Sequence, residues 1–331
     1  MSNEVVVRAY RDAVRVDDVP APLDTVHLTV RHPAHQARTD AERMSGALAP
    51  DLTSAPYPVV VVVPGVNVGS AGYTWLAAEL VRAGNVVVTY DWVGELFPGQ
   101  TGLTPGVDIS VATPQAYGTA PTTPALRPVL DRLTALNAEG PLAGIFDMSK
   151  VALLGHSAGG TVALQSASPV WFPEVGAVIT YGSHLMASQM LGFEPGTLLA
   201  SPATVPVMLL SGTEDGVVKA SSIRYGTEVT DASHDPVART WAEGLPHAAE
   251  SWLVQFAGAG HLLPVQPEDP TSARGFLEAP LVADQEPLRE IFVALVTEFL
   301  ATHLGKDPAA AESLSQHCET PSPLIAVLRR R

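Results

Sequence analysis

The stretch Val151-Ala152-Leu153-Leu154-Gly155-His156-Ser157-Ala158-Gly159-Gly160-Thr161-Val162-Ala163-Leu164 runs from an apolar segment, through a serine bracketed by glycines, into residues with helical character. Gly155 to Gly159 fit G-x-S-x-G, a pattern that chance alone produces about 0.14 times in a chain of this composition. Context makes it informative. A short apolar strand precedes it and an apolar helix follows, which predicts a sharp strand-to-helix turn with Ser157 at its tip. At such a turn the serine takes strained φ/ψ. Side chains at the two glycine positions would collide with the neighbouring strand and helix.

Outward from this turn, the chain alternates strand and helix. Val59 to Val63 form an unbroken valine run ending in Pro64-Gly65, which suits a strand buried on both faces of a mostly parallel sheet. Trp75, Leu76, Leu80 and Val81 have helical spacing with Gly84 as the stop, and Val86-Val87-Val88 gives the next strand, ending at Tyr90-Asp91-Trp92. A helix through Leu126, Val129, Leu130, Leu133 and Leu136 precedes the Val151–Leu154 strand. Further strands read at Val26–Val30, 177–181, 207–210 and 252–256, with another expected at Val5–Val7. A final amphipathic helix carries Leu288, Ile291, Phe292, Leu295 and Phe299. The fold class is therefore α/β, with a central, mostly parallel sheet flanked by helices. Residues 93–123, 183–205 and 216–250 interrupt the alternation, the last with a short helix expected around Val237–Trp241. The Gly/Pro/Thr-rich 93–123 connection is long enough to carry function.

A serine hydroxyl needs a base within hydrogen-bond reach and a carboxylate to orient that base. Thr213-Glu214-Asp215-Gly216 follows the strand at 207–210, and Gly258-Ala259-Gly260-His261 follows the strand at 252–256. Asp215 is the candidate acid, with Glu214 as runner-up, and His261 the candidate base. His156 and His184 break the order nucleophile, acid, base. Charge developing on a carbonyl oxygen calls for fixed N–H donors, and the backbone amides of Val66 and Ala158 are the candidate oxyanion hole. Asn67 could add a side-chain donor.

The chain has 331 residues, 46% of them hydrophobic, which fits one large or two small domains. Three candidate residues on three strand ends of one sheet favour a single catalytic domain over 1–306, followed by a flexible tail over 307–331 that ends in Arg329-Arg330-Arg331. A net charge of −15 argues against a nucleic-acid partner. One cysteine, Cys318, leaves no internal disulfide and no cysteine metal site, and no metal or organic cofactor is implied. The absence of an apolar leader and of any run near the ~20 residues needed to span a bilayer makes a cytoplasmic protein with no membrane contact the expectation.

With these residues in place, the chain resembles the α/β-hydrolase superfamily over roughly residues 20–305. Within it, the chain is most similar to the branch of dienelactone-hydrolase-like proteins, cutinase-type polyester hydrolases, chlorophyllases and platelet-activating-factor acetylhydrolases. Pro64-Gly65, Trp75 through Val88, and Gly155 through Gly160 carry that similarity. The resemblance implies Ser157 as nucleophile, Asp215 as acid, His261 as base, and a serine carboxylic-ester hydrolase acting on a small-molecule substrate. Dienelactone hydrolases have cysteine in place of Ser157, and the polyester hydrolases have an export signal and an aromatic at the place of Val66. A small or medium hydrophobic ester is therefore expected rather than a polymer. A loop-rich roof over the active site, including the 93–123 connection, would select it. Trp92, Phe97, His156 and His184 are the candidate substrate-binding residues. The same triad serves acyltransferases, thioesterases, lactonases and amidases, and a non-catalytic binding module is the remaining alternative.

Overall fold

The computed structural model describes residues 5–97, 99–226, 235–271, 277–278, 280–281, 283–320 and 322–331; the Phe97 side chain lies outside this set. Its strands are β1 (Val6–Arg15), β2 (Thr25–Ala34), β3 (Tyr57–Val63), β4 (Val86–Phe97), β5 (Gln100–Leu103), β6 (Phe146–His156), β7 (Val175–Tyr181), β8 (Val207–Gly212), β9 (Ser251–Phe256) and β10 (Ile325–Arg330). The helices are α1 (Asp40–Ser45), α2 (Thr74–Arg82), α3 (Leu126–Ala138), α4 (Ala158–Ser166), α5 (Gly216–Ala220), α6 (Pro236–Glu243), α7 (Glu286–His303) and α8 (Pro308–Glu319).

The strands form one sheet in the order β1-β2-β4-β3-β6-β7-β8-β9-β10, with β5 paired to the far end of β4. From β4 to β9 every pairing is parallel, while β1, β2 and β10 run antiparallel at the edges. The valine run shows why both faces are covered. Val59, Val61 and Val63 enter a core shared with α3 and α4, whereas Val60 and Val62 enter a second core shared with α2 and α7. Alternate residues of a strand leave opposite faces, so an unbroken apolar run needs a helix layer on each side.

Three expectations change. β1 extends from Val6 to Arg15 and pairs along its whole length with β2, well beyond Val5–Val7. The 93–123 connection begins as a continuation of β4 that turns back through β5, so part of it is a hairpin. The stretch 307–331 is not a flexible tail. Asp307 caps α8 through Ala309 N–H, Leu314 is buried under α7, and β10 adds a strand to the outer edge of β9. The short apolar run Ile325-Ala326-Val327-Leu328 followed by three arginines has no period-2 alternation to mark a strand; the open edge of β9 supplies the partner that makes it one. No helix among the described residues is long and apolar enough to cross a membrane.

Candidate active site

Ser157 stands between β6 and α4 with φ of 56° and ψ of −127°. This left-handed backbone is unfavourable for a residue with a Cβ, so the surroundings must impose it. They do so through hydrogen bonds and close packing. Ser157 N–H donates to Tyr181 O at 2.9 Å, and its carbonyl accepts from Ser183 Oγ at 2.7 Å. A Cβ on Gly155 would fall on the backbone of Gly160, and one on Gly159 on the carbonyls of Val63 and Pro64. Those are the helix and the neighbouring strand that the sequence pattern implied.

Asp215 lies in the turn after β8 and caps α5, its Oδ1 accepting from Val218 N–H at 2.8 Å. Its other oxygen, Oδ2, accepts from His261 Nδ1 at 2.8 Å. A carboxylate accepts this bond, so Nδ1 carries a proton, and in the neutral ring Nε2 is then the acceptor. Both side chains are buried, at 3% and 4% exposure, which shields the contact from water. Glu214, the runner-up, turns to the surface toward Lys219. Gly182, which the sequence reading missed, allows the pair to form. It has φ of 63°, and a Cβ there would lie 2.8 Å from His261 Nδ1 and 2.9 Å from Asp215 Oδ2.

Ser157, His261, Val66 and Ala158 all border one cavity of about 260 Å³. Among the described residues, neither the Val66 nor the Ala158 amide donates to a protein acceptor, so both remain able to serve an oxygen in the cavity. The walls are mainly apolar, with Val162, Met186, Phe193, Leu199 and Val218. Val107 and Ala112 of the 93–123 connection contribute to them, as expected of a roof.

The other candidates divide. His184 borders the cavity, its Nδ1 accepting from Met186 N–H at 3.2 Å and its Nε2 lying 3.1 Å from Ser221 Oγ. His156 also touches the cavity, but its ring is fully buried and both nitrogens are engaged within the protein: Nδ1 lies 2.8 Å from Tyr73 Oη and Nε2 2.9 Å from His261 O. Burial and the nearby His261 push its pKa down to about 3, so the ring is neutral. Trp92 is a core residue, donating from Nε1 to Leu23 O at 2.7 Å and packing on Gly106, and it does not border the cavity. Asn67 takes φ of 58°, which turns its side chain against Gly102 and away from the cavity. The Phe97 side chain lies outside the described residues. Tyr73 had no sequence signal of a role; it reaches the site only because the turn before α2 folds against β6.

Residues 60–327 match the family model of the alpha/beta hydrolase family. The chain belongs to the alpha/beta hydrolase family. No match was found among curated proteins. The α/β-hydrolase fold accounts for the sheet with helices on both faces, and for the gathering of Ser157, Asp215 and His261 at the C-terminal ends of β6, β8 and β9. Among the described residues, no group of three or more His, Cys, Asp or Glu side chains is arranged to hold a metal ion.

Proposed function

We propose that this α/β-hydrolase is a serine carboxylic-ester hydrolase acting through an acyl-enzyme. The observation that carries the reading is the hydrogen bond from His261 Nδ1 to Asp215 Oδ2 beside a left-handed Ser157 on the same apolar cavity. His261 Nε2 takes the Ser157 proton, and Ser157 Oγ attacks the ester carbonyl. The Val66 and Ala158 amides hold the resulting oxyanion, each such donor stabilising the transition state by about 3 kcal/mol. The alcohol departs with a proton from His261. Water, deprotonated by the same ring, then releases the acid and frees Ser157. The apolar walls favour a small or medium hydrophobic ester, in keeping with the resemblance to the non-polymer members of the dienelactone-hydrolase-like branch.

Ser157→Ala should abolish hydrolysis of p-nitrophenyl butyrate and labelling by a fluorophosphonate while leaving the thermal transition in place. Unchanged turnover by a clean preparation of the variant would sink the reading. Comparing acetate, butyrate and octanoate esters measures how much acyl chain the cavity accepts.

A further inference from the structure

Glu278 lies in the connection between the His261 turn and α7, and nothing in the mechanism above uses it. Its two carboxylate oxygens go to different loops. Oε2 accepts from Gly216 N–H at 3.2 Å, the residue after Asp215, and Oε1 accepts from Leu262 N–H at 3.1 Å, the residue after His261. Gly260 leaves the space for this approach, since a Cβ there would lie 3.2 Å from Oε1. The preceding residue, Leu277, borders the active-site cavity.

We infer that Glu278 is a positioning residue whose carboxylate ties the turn carrying Asp215 to the turn carrying His261. The two turns leave different strands, β8 and β9, and their spacing sets the Asp215–His261 contact. A bridge from one side chain to both main chains fixes that spacing without touching the reacting atoms. It also brings a carboxylate within electrostatic reach of the His261 charge, where it favours the imidazolium formed during acyl transfer. The ionisable groups around it are Asp215, His261, Tyr181 at the end of β7 and Arg289, whose Nε donates to Leu263 O. Burial first, and then Asp215, raise the Glu278 pKa, while the His261 charge opposes them.

The mechanistic consequence rests on the ester-hydrolase reading, but the bridge can be tested separately. Glu278→Gln keeps the length, offers one acceptor where two are needed, and removes the charge. In this variant, the NMR titration midpoint of the His261 ring should fall by about half a pH unit, because the imidazolium loses a neighbouring negative charge. On p-nitrophenyl butyrate, kcat should fall about tenfold or more with KM within about threefold, as expected when catalytic groups are misaligned. The exposed Glu268→Gln, in the same connection, should match wild type in both assays. An unshifted His261 midpoint in folded Glu278→Gln would overturn the inference, as would wild-type kcat in an active preparation. If the wild-type enzyme hydrolyses no ester, the catalytic reading fails and hydrogen-exchange protection of the Gly216 and Leu262 amides still decides the bridge, which predicts its loss in Glu278→Gln and is overturned if both amides stay as protected as in wild type. Should Glu278→Gln not fold, Glu278→Asp keeps the charge but shortens the reach by one methylene. Lowered kcat there supports the bridge, and wild-type kcat overturns it.

Discussion

His156 donates from Nε2 to the backbone carbonyl of His261 at 2.9 Å, so the residue before the candidate nucleophile holds the candidate base by its main chain. A carbonyl can only accept, which fixes the proton of the neutral ring on Nε2 and leaves Nδ1 as an acceptor. Tyr73 Oη therefore donates to Nδ1 at 2.8 Å and in turn accepts from Gly65 N–H at 3.0 Å. One polarised chain thus runs from the loop beside Val66, through Tyr73 and His156, to His261. It joins the candidate oxyanion loop to the candidate base across the buried floor of the site.

Tyr73→Phe breaks this chain at its centre without opening a cavity. Gly65 N–H and His156 Nδ1 would lose their partner in a site where Tyr73 is fully buried. Leaving such groups unsatisfied costs roughly 1–3 kcal/mol, to be measured by urea unfolding at pH 7. Turnover of p-nitrophenyl butyrate should fall several-fold while the Asp215–His261 contact survives. Wild-type stability and turnover together would show that the chain carries no strain-bearing or catalytic load.

The buried His156 also sets a pH dependence of stability. Its folded pKa is about 3, below the ordinary value of about 6.5 for an exposed histidine. Between these values the unfolded chain binds the proton and the folded chain does not, so stability falls as pH falls. The contribution is complete above about pH 6.5 and is lost progressively toward pH 3. His32 and His303, both lowered mainly by burial, act in the same direction, whereas Glu278, raised mainly by burial, opposes them. Urea unfolding should show that wild type loses roughly 2–3 kcal/mol more than His156→Gln between pH 7 and pH 4.5. Parallel losses in the two proteins would contradict this account.

The turn around Ser157 was legible because its constraints are local: glycines at Gly155 and Gly159, a strand before and a helix after. Asp215 and His261 were legible because each lies in the turn after a strand of the same parallel sheet. Trp92 and Asn67 were not, because position in the chain does not reveal where a side chain points. Trp92 pairs opposite Val26 and turns into the core toward Leu23, and the left-handed backbone of Asn67 aims it at Gly102. Tyr73, Gly182 and Glu278 act through contacts between segments far apart in sequence, for which no local pattern exists.

Gly182→Ala tests the tightest of those contacts. The added methyl would press on both His261 and Asp215, and the left-handed φ of 63° adds about 1 kcal/mol of backbone strain. The expected outcome is a folded enzyme with kcat lowered about 100-fold, since small displacements of reacting groups have effects of that size. KM for p-nitrophenyl butyrate should change little, because Gly182 leaves the apolar walls intact. An unaltered kcat would mean that the pair relaxes around the methyl without loss of function.

Removal of residues 322–331 tests the role of the C-terminal strand. β10 pairs with β9 from Ile325 opposite Phe256 to Arg330 opposite Trp252, and Ala257 N–H donates to Leu324 O at 2.8 Å just before the turn that bears His261. Arg331 reaches the end of α6, donating from its guanidinium to Ala242 O at 2.8 Å and lying 4.9 Å from the centre of the Trp241 ring. Loss of Ile325 burial and of several strand hydrogen bonds should lower stability by roughly 3–6 kcal/mol in urea unfolding. Turnover should fall even at temperatures where the truncated protein stays folded, because β9 loses the partner that steadies the start of the His261 turn. A truncated enzyme with wild-type kcat and an unchanged urea midpoint would show that β9 holds that turn unaided.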